Sequence, residues 1–96
     1  MPETHELVLT ISHPNGLHLR PAALFVRTAA HFHSAITVRN LSRIESHSVD
    51  AKSMFGLMQL GVAEGHQIEL HSIGVDATAA LLALQQLVAS DFEEQP

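Results

Sequence analysis

The stretch ELVLTISHPNGLHLRPAALFVRTAA, residues 6–30, changes its period once, and that change decides the fold. Over Glu6–Ser12, Leu7, Leu9 and Ile11 fall on one side and Val8 and Thr10 on the other, which marks a strand with one buried face. His13-Pro14-Asn15-Gly16 ends the alternation, because Pro and Asn-Gly favour turns. From Leu19 to about Ala30 the apolar positions Leu19, Ala22, Ala23, Val26, Ala29 and Ala30 recur at helical spacing. Pro21 stands near the front of this helix, where a missing N–H costs little. A strand and a helix that each have one apolar face must bury those faces against each other or against neighbours, so the unit belongs to a layered domain.

Beyond this unit the same two periods alternate. Ala35–Arg39 predicts a second strand, and the polar stretch Asn40–His47 turns the chain into a short third strand near Ser48–Ala51. Ser53–Leu60 predicts a short helix with Ser53 as its N-cap and Met54, Leu57, Met58 and Leu60 as its apolar positions. Gly61 and Gly65 close that segment, and Gln67–Ile73 alternates as a fourth strand. Asp76 starts a last helix carried by Ala77, Ala80, Leu81, Leu84, Leu87 and Val88, and the tail Asp91–Pro96 is expected to fray. The order β-α-β-β-α-β-α gives a two-layer α+β domain. Residues 1–96 are expected to form one such domain, with a core over about 6–91.

Composition narrows the function. Apolar residues are 46% of the chain and charged residues 16%, enough to build a core. Trp and Tyr are absent and Phe occurs four times, so an aliphatic interior is expected. Ten acids against five bases give a formal charge of -5, without the clustered Lys and Arg that nucleic acid or anionic lipid requires. With no Cys there is neither a disulfide framework nor thiol chemistry. The start MPETHELVLTIS lacks the basic-then-apolar pattern of a signal peptide, and no apolar run reaches the ~20 residues of a membrane span. A soluble, cytoplasmic protein is expected.

The heptapeptide Gly16-Leu17-His18-Leu19-Arg20-Pro21-Ala22 carries the chemistry. It puts a histidine where a turn meets the first turn of a helix, and a helix N-terminus favours phosphate through unpaired N–H groups and partial positive charge. A neutral imidazole is a competent nucleophile, and free imidazole is mostly neutral at cytosolic pH. Arg20, two residues on, offers a guanidinium to phosphoryl oxygens, and Gly16 allows a tight turn before the nucleophile. The motif supplies no metal, nucleotide loop or hydrolytic partner. Such a site suits holding and releasing a phosphoryl group.

On these residues the chain resembles the HPr family, the histidine-containing phosphocarriers of the bacterial sugar phosphotransferase system. The resemblance rests on Pro14–Ala23, on Asp50-Ala51-Lys52-Ser53-Met54-Phe55-Gly56-Leu57-Met58-Gln59-Leu60-Gly61-Val62, and on the strand and helix ending at Asp91. It implies an open-faced β-sandwich, a four-stranded antiparallel sheet covered on one face by three helices. It implies a carrier rather than an autonomous enzyme, with no cofactor and no bound metal. Enzyme I would phosphorylate His18 on Nδ1, and the group would pass to an EIIA-type acceptor in sugar uptake. Arg20 matches the family's active-site arginine, and Ser53 matches the serine modified by HPr kinase/phosphorylase. The hairpin Arg39–Val49 departs from the pattern by being a few residues longer than the compact turn containing Asn-Gly.

Each of these residues also has a plain structural reading. Ser53 is an N-cap whatever else it does. Met54, Phe55 and Met58 stand at helical spacing in a helix too short to bury every side, so they are expected either in the core or on an exposed docking patch. His31 and His33 flank Phe32 without a convincing third ligand, which argues against metal there. Glu45, Asp50 and Glu64 read as solvated loop charges. Two other functions fit the same residues. One is a regulatory binding module acting through phosphorylated Ser53. The other is an HPr-like carrier serving nitrogen signalling or dihydroxyacetone phosphorylation, or forming part of a larger fusion. A monomer suits a transient carrier.

Overall fold

The computed structural model describes residues 3–93. Its elements are β1 (Glu3–Thr10), α1 (Leu19–Ala30), β2 (Ala35–Asn40), β3 (Val49–Asp50), α2 (Met54–Gln59), β4 (Gln67–Gly74) and α3 (Ala77–Ala89). The strands form one antiparallel sheet in the order β1-β4-β2-β3. With three helices on it, this is the open-faced sandwich expected. Among the described residues no helix is long and apolar enough to cross a membrane.

Strand alternation decides which residues face the helices. Leu9, Ile36, Val38, Ile68 and Leu70 are buried in the core, which is closed by Leu81, Leu84 and Val88 from α3 and by Leu24 and Phe25 from α1. The opposite face stays exposed. There the register sets Glu6 opposite His71 and Arg39 opposite Glu69. Arg39 Nη2 reaches Glu69 Oε1 at 3.4 Å, and His71 Nε2 lies 3.0 Å from the same oxygen.

Three expectations are corrected. The first is the phase of α1: Leu19 is 68% exposed, Ala23 and Ala30 are also exposed, and the buried residues are Pro21, Ala22, Leu24, Phe25 and Ala29. Alanines lie on several sides of this helix and leave its phase open, and the bulk of Leu24 and Phe25 settles it. The second is the interior, which is not purely aliphatic, since Phe25 and Phe92 are among its largest fully buried side chains. The third is the tail. Phe92 is only 1% exposed, and its N–H donates to the Leu87 carbonyl at 2.9 Å while that of Asp91 donates to Val88 at 3.0 Å. Burying a phenyl ring against the core offsets the cost of ordering these residues; residues 94–96 lie outside the described ones.

The longer hairpin shortens β3 to two residues, paired Thr37↔Asp50 and Val38↔Val49. Buried Asn40 anchors its start: Nδ2 donates to the Leu60 carbonyl at 3.1 Å, and Oδ1 accepts from the Ser42 N–H at 2.9 Å. Asp76 precedes α3 as expected, yet its carboxylate does not cap that helix. It accepts from the N–H groups of His33 at 2.8 Å and Ser34 at 2.9 Å and from the Ser34 hydroxyl. The Ser34 hydroxyl first, then the His33 N–H, holds this carboxyl down at a pKa of about 2.

Candidate functional site

The site is built where β1 runs out. Ile11 is buried, and its N–H donates to the His66 carbonyl at 2.9 Å while its own carbonyl accepts from Gly65 at 2.7 Å. The chain then turns over 13–16, closed by the Gly16 N–H on the His13 carbonyl at 2.9 Å. Gly16 has φ +61, and a Cβ there would collide with the Val62 carbonyl. Glycine is therefore needed twice at this position, for its conformation and for the close approach. The next N–H, from Leu17, donates to that same Val62 carbonyl at 3.0 Å, which fastens the loop to the segment after α2.

This leaves His18 as the N-cap of α1, with φ -76 and ψ -169. Its carbonyl accepts the first intrahelical bond, from Ala22 at 2.9 Å, while its ring makes no capping hydrogen bond. The imidazole is half-buried and free for other chemistry at a helix end that favours anions. Arg20 follows in the first turn, exposed, with Nη1 donating to the Phe92 carbonyl at 3.3 Å. A guanidinium held by one of its five N–H donors keeps the others available to an anion.

Ser53 is the expected N-cap of α2, its hydroxyl accepting from the Gly56 N–H at 3.0 Å. The three apolar residues after it divide between the two roles they had been given. Met54 packs against the core, whereas Phe55 is 74% and Met58 44% exposed. With Leu19, these give exposed apolar side chains on α1 and α2, two helices that touch each other. Leu19 was missed as a surface residue because its apolar character placed it with the core.

His13 and Phe92 were missed as well. The His13 ring centroid lies 5.2 Å from that of His18, and Phe92 meets His13 edge-on at 6.2 Å. A turn over 13–16 folds the chain back towards its start, so the signal for His13 was present in Pro14-Asn15-Gly16. Away from this site, Glu6, Glu69 and His71 bring three potential metal-ligand atoms within 4.8 Å of one another. Arg39 and His71 already engage the Glu69 carboxylate, so the group reads as a cross-strand polar network with the Arg39–Glu69 ion pair in it.

The fold and the site together define a small open-faced sandwich with an imidazole at a helix start that makes no capping bond. Residues 6–90 match the family model described as the PTS HPr component phosphorylation site, and the chain belongs to the HPr family. It is 42% identical over 81 residues to the phosphocarrier protein HPr of Treponema pallidum, covering 83% of this chain and 86% of that protein. It is 40% identical over 85 residues to the multiphosphoryl transfer protein of Haemophilus influenzae. That match covers 88% of this chain but only 17% of the relative, so the chain spans a small part of that protein. Among solved structures, HPr-C-His from Thermoanaerobacter tengcongensis superposes with a TM-score of 0.84 at 41% identity, covering 96% of this chain and 99% of that one. An HPr dimer from the same organism superposes with a TM-score of 0.70 at 44% identity, covering 90% of this chain and 97% of that one.

Proposed function

We propose that this chain is a phosphocarrier of the sugar phosphotransferase system, with His18 as the covalent carrier. What supports the reading most is the His18 ring itself, placed at the N-cap of α1 yet spent on no capping bond. A ring nitrogen of His18 attacks phosphorus, the bond from phosphorus to the donor breaks, and the group later leaves by the same route to an acceptor. The helix start and the Arg20 guanidinium stabilise negative charge on the phosphoryl oxygens. The protein is consumed and regenerated in the transfer rather than acting as an autonomous catalyst. Enzyme I is the donor in this reading and an EIIA-type protein the acceptor, in the cytoplasm and with the carrier as a monomer. Leu19, Phe55 and Met58 supply an apolar docking patch beside the transferred group.

Incubation with phosphoenolpyruvate and catalytic enzyme I is expected to add one acid-labile phosphate, absent from His18→Ala. Equal labelling of that variant would refute the assignment.

A second role, regulation at Ser53 by an HPr kinase/phosphorylase, is favoured by one observation: its hydroxyl caps α2 two residues before exposed Phe55. A phosphate there adds about -1.5 to -2 charges beside the docking patch.

A further inference from the structure

The turn that delivers His18 also delivers a second imidazole. His13 sits at its start, ring centroid 5.2 Å from that of His18 and tilted by 43°. Two contacts fix the His13 ring. The Asn15 N–H donates to its Nδ1 at 3.2 Å, and the buried Phe92 ring packs edge-on against it at 6.2 Å. A ring nitrogen that accepts a backbone N–H is unprotonated, so the neutral ring carries its proton on Nε2. Among the described residues that Nε2 meets no acceptor. A donor is thus held in a set orientation beside the carrier histidine, with no acceptor for it among the described residues.

We propose that His13 is a second phosphoryl-binding residue, its Nε2–H donating a hydrogen bond to an oxygen of the phosphoryl group on His18. The proposal rests on the carrier reading of His18 and adds the residue that helps to hold the cargo. When the group arrives, a ring nitrogen of His18 forms its bond to phosphorus as the donor departs with the electron pair of the broken bond. The other nitrogen of His18 keeps its proton, and so does Nε2 of His13. His13 gives a hydrogen bond and no acid. Because the phosphoryl oxygens are charged, the bond is stronger than one between neutral groups. It also complements Arg20, which reaches the site from the first turn of α1 while His13 reaches it from the loop.

The test compares the wild-type protein with His13→Phe and His13→Gln. Phenylalanine keeps an aromatic ring against Phe92 and has no donor; glutamine restores an N–H. Each protein is equilibrated with phosphoenolpyruvate and pyruvate through a trace of enzyme I. In His13→Phe the equilibrium constant for phosphorylation is expected to fall about tenfold, and in His13→Gln most of that loss should be recovered. In the wild-type protein the 15N resonance of His13 Nε2 should move when His18 is phosphorylated and return when the phosphate is lost. An unchanged equilibrium in His13→Phe with a static Nε2 resonance would overturn the proposal. So would equal impairment of both variants, which would make His13 a packing residue only. If the wild-type protein takes no label on His18, the carrier reading fails first and takes this proposal with it.

Discussion

Arg20 donates from Nη1 to the carbonyl oxygen of Phe92 at 3.3 Å, joining the first turn of α1 to the segment that follows α3. The Phe92 ring packs edge-on against His13, and His13 lies beside His18. One residue therefore engages both partners of the site, its backbone carbonyl holding Arg20 and its buried ring packing on His13. Asp91 and Phe92 hold φ values of 57 and 61, a conformation costly to residues with a Cβ, and the burial of the Phe92 ring offsets that cost.

Phe92→Ala is expected to destabilise the domain by about 3–5 kcal/mol, as large-to-small changes in a packed core do. The same variant, assayed where it is still folded, should accept phosphoryl groups more slowly. Chemical denaturation and labelling rates check the two effects, and wild-type behaviour in both would show that the segment after α3 is dispensable.

Gly16→Ala tests the loop that presents His18. Left-handed backbone costs an alanine about 1–2 kcal/mol, and its Cβ would in addition meet the Val62 carbonyl. Stability should fall by at least that amount, with a loss of labelling at His18 because the loop must move away from Val62. Denaturant midpoints and labelling of the folded fraction measure both.

Phe55→Ala addresses docking. At 74% exposure the ring contributes little to the fold, so stability should stay within about 0.5 kcal/mol of wild type. Binding to enzyme I should weaken by more than about 1 kcal/mol, as for an aromatic anchor in an interface. Calorimetric titration that finds equal affinity would remove Phe55 from the docking patch.

Asp76 predicts a pH dependence of stability. Its carboxyl is held down at about 2 in the folded protein, below the ordinary value of 3.8, so the folded state favours the charged form. The resulting stabilisation is complete above the unfolded-state value and is lost as pH falls through the folded one. At neutral pH Asp76→Asn should melt at a lower temperature than wild type. The gap between the two should close between about pH 4 and pH 2. A gap that persists unchanged at pH 2 would mean that the charge of Asp76 is not what binds the His33–Ser34 turn.

Much of this architecture was legible in the chain. Alternation located three of the strands, the polar stretch Asn40–His47 pointed to the short third one after it, and Pro14-Asn15-Gly16 located the turn before His18. The helical faces were less legible where alanine is common. Around α1, Leu19 and Ala23 read as apolar as Leu24 and Phe25, and only packed volume separates exposed from buried. Phe92 lies in a polar tail whose composition suggests fraying, and its burial is a tertiary fact. Asp76 has the residue type of an N-cap, but its carboxylate serves the distant His33–Ser34 turn, a contact that no local pattern announces. The motif exposed His18 and Arg20, whereas His13 became visible as a site residue only once its ring distance to His18 was known.

The most direct measurement is the position of the phosphate after loading the protein from phosphoenolpyruvate through enzyme I, read by phosphorus-coupled NMR of the eight histidine rings. A single phosphorus–nitrogen coupling is expected, on the ring of His18. A coupling on any other histidine, or none on His18 with the protein fully labelled, would contradict it.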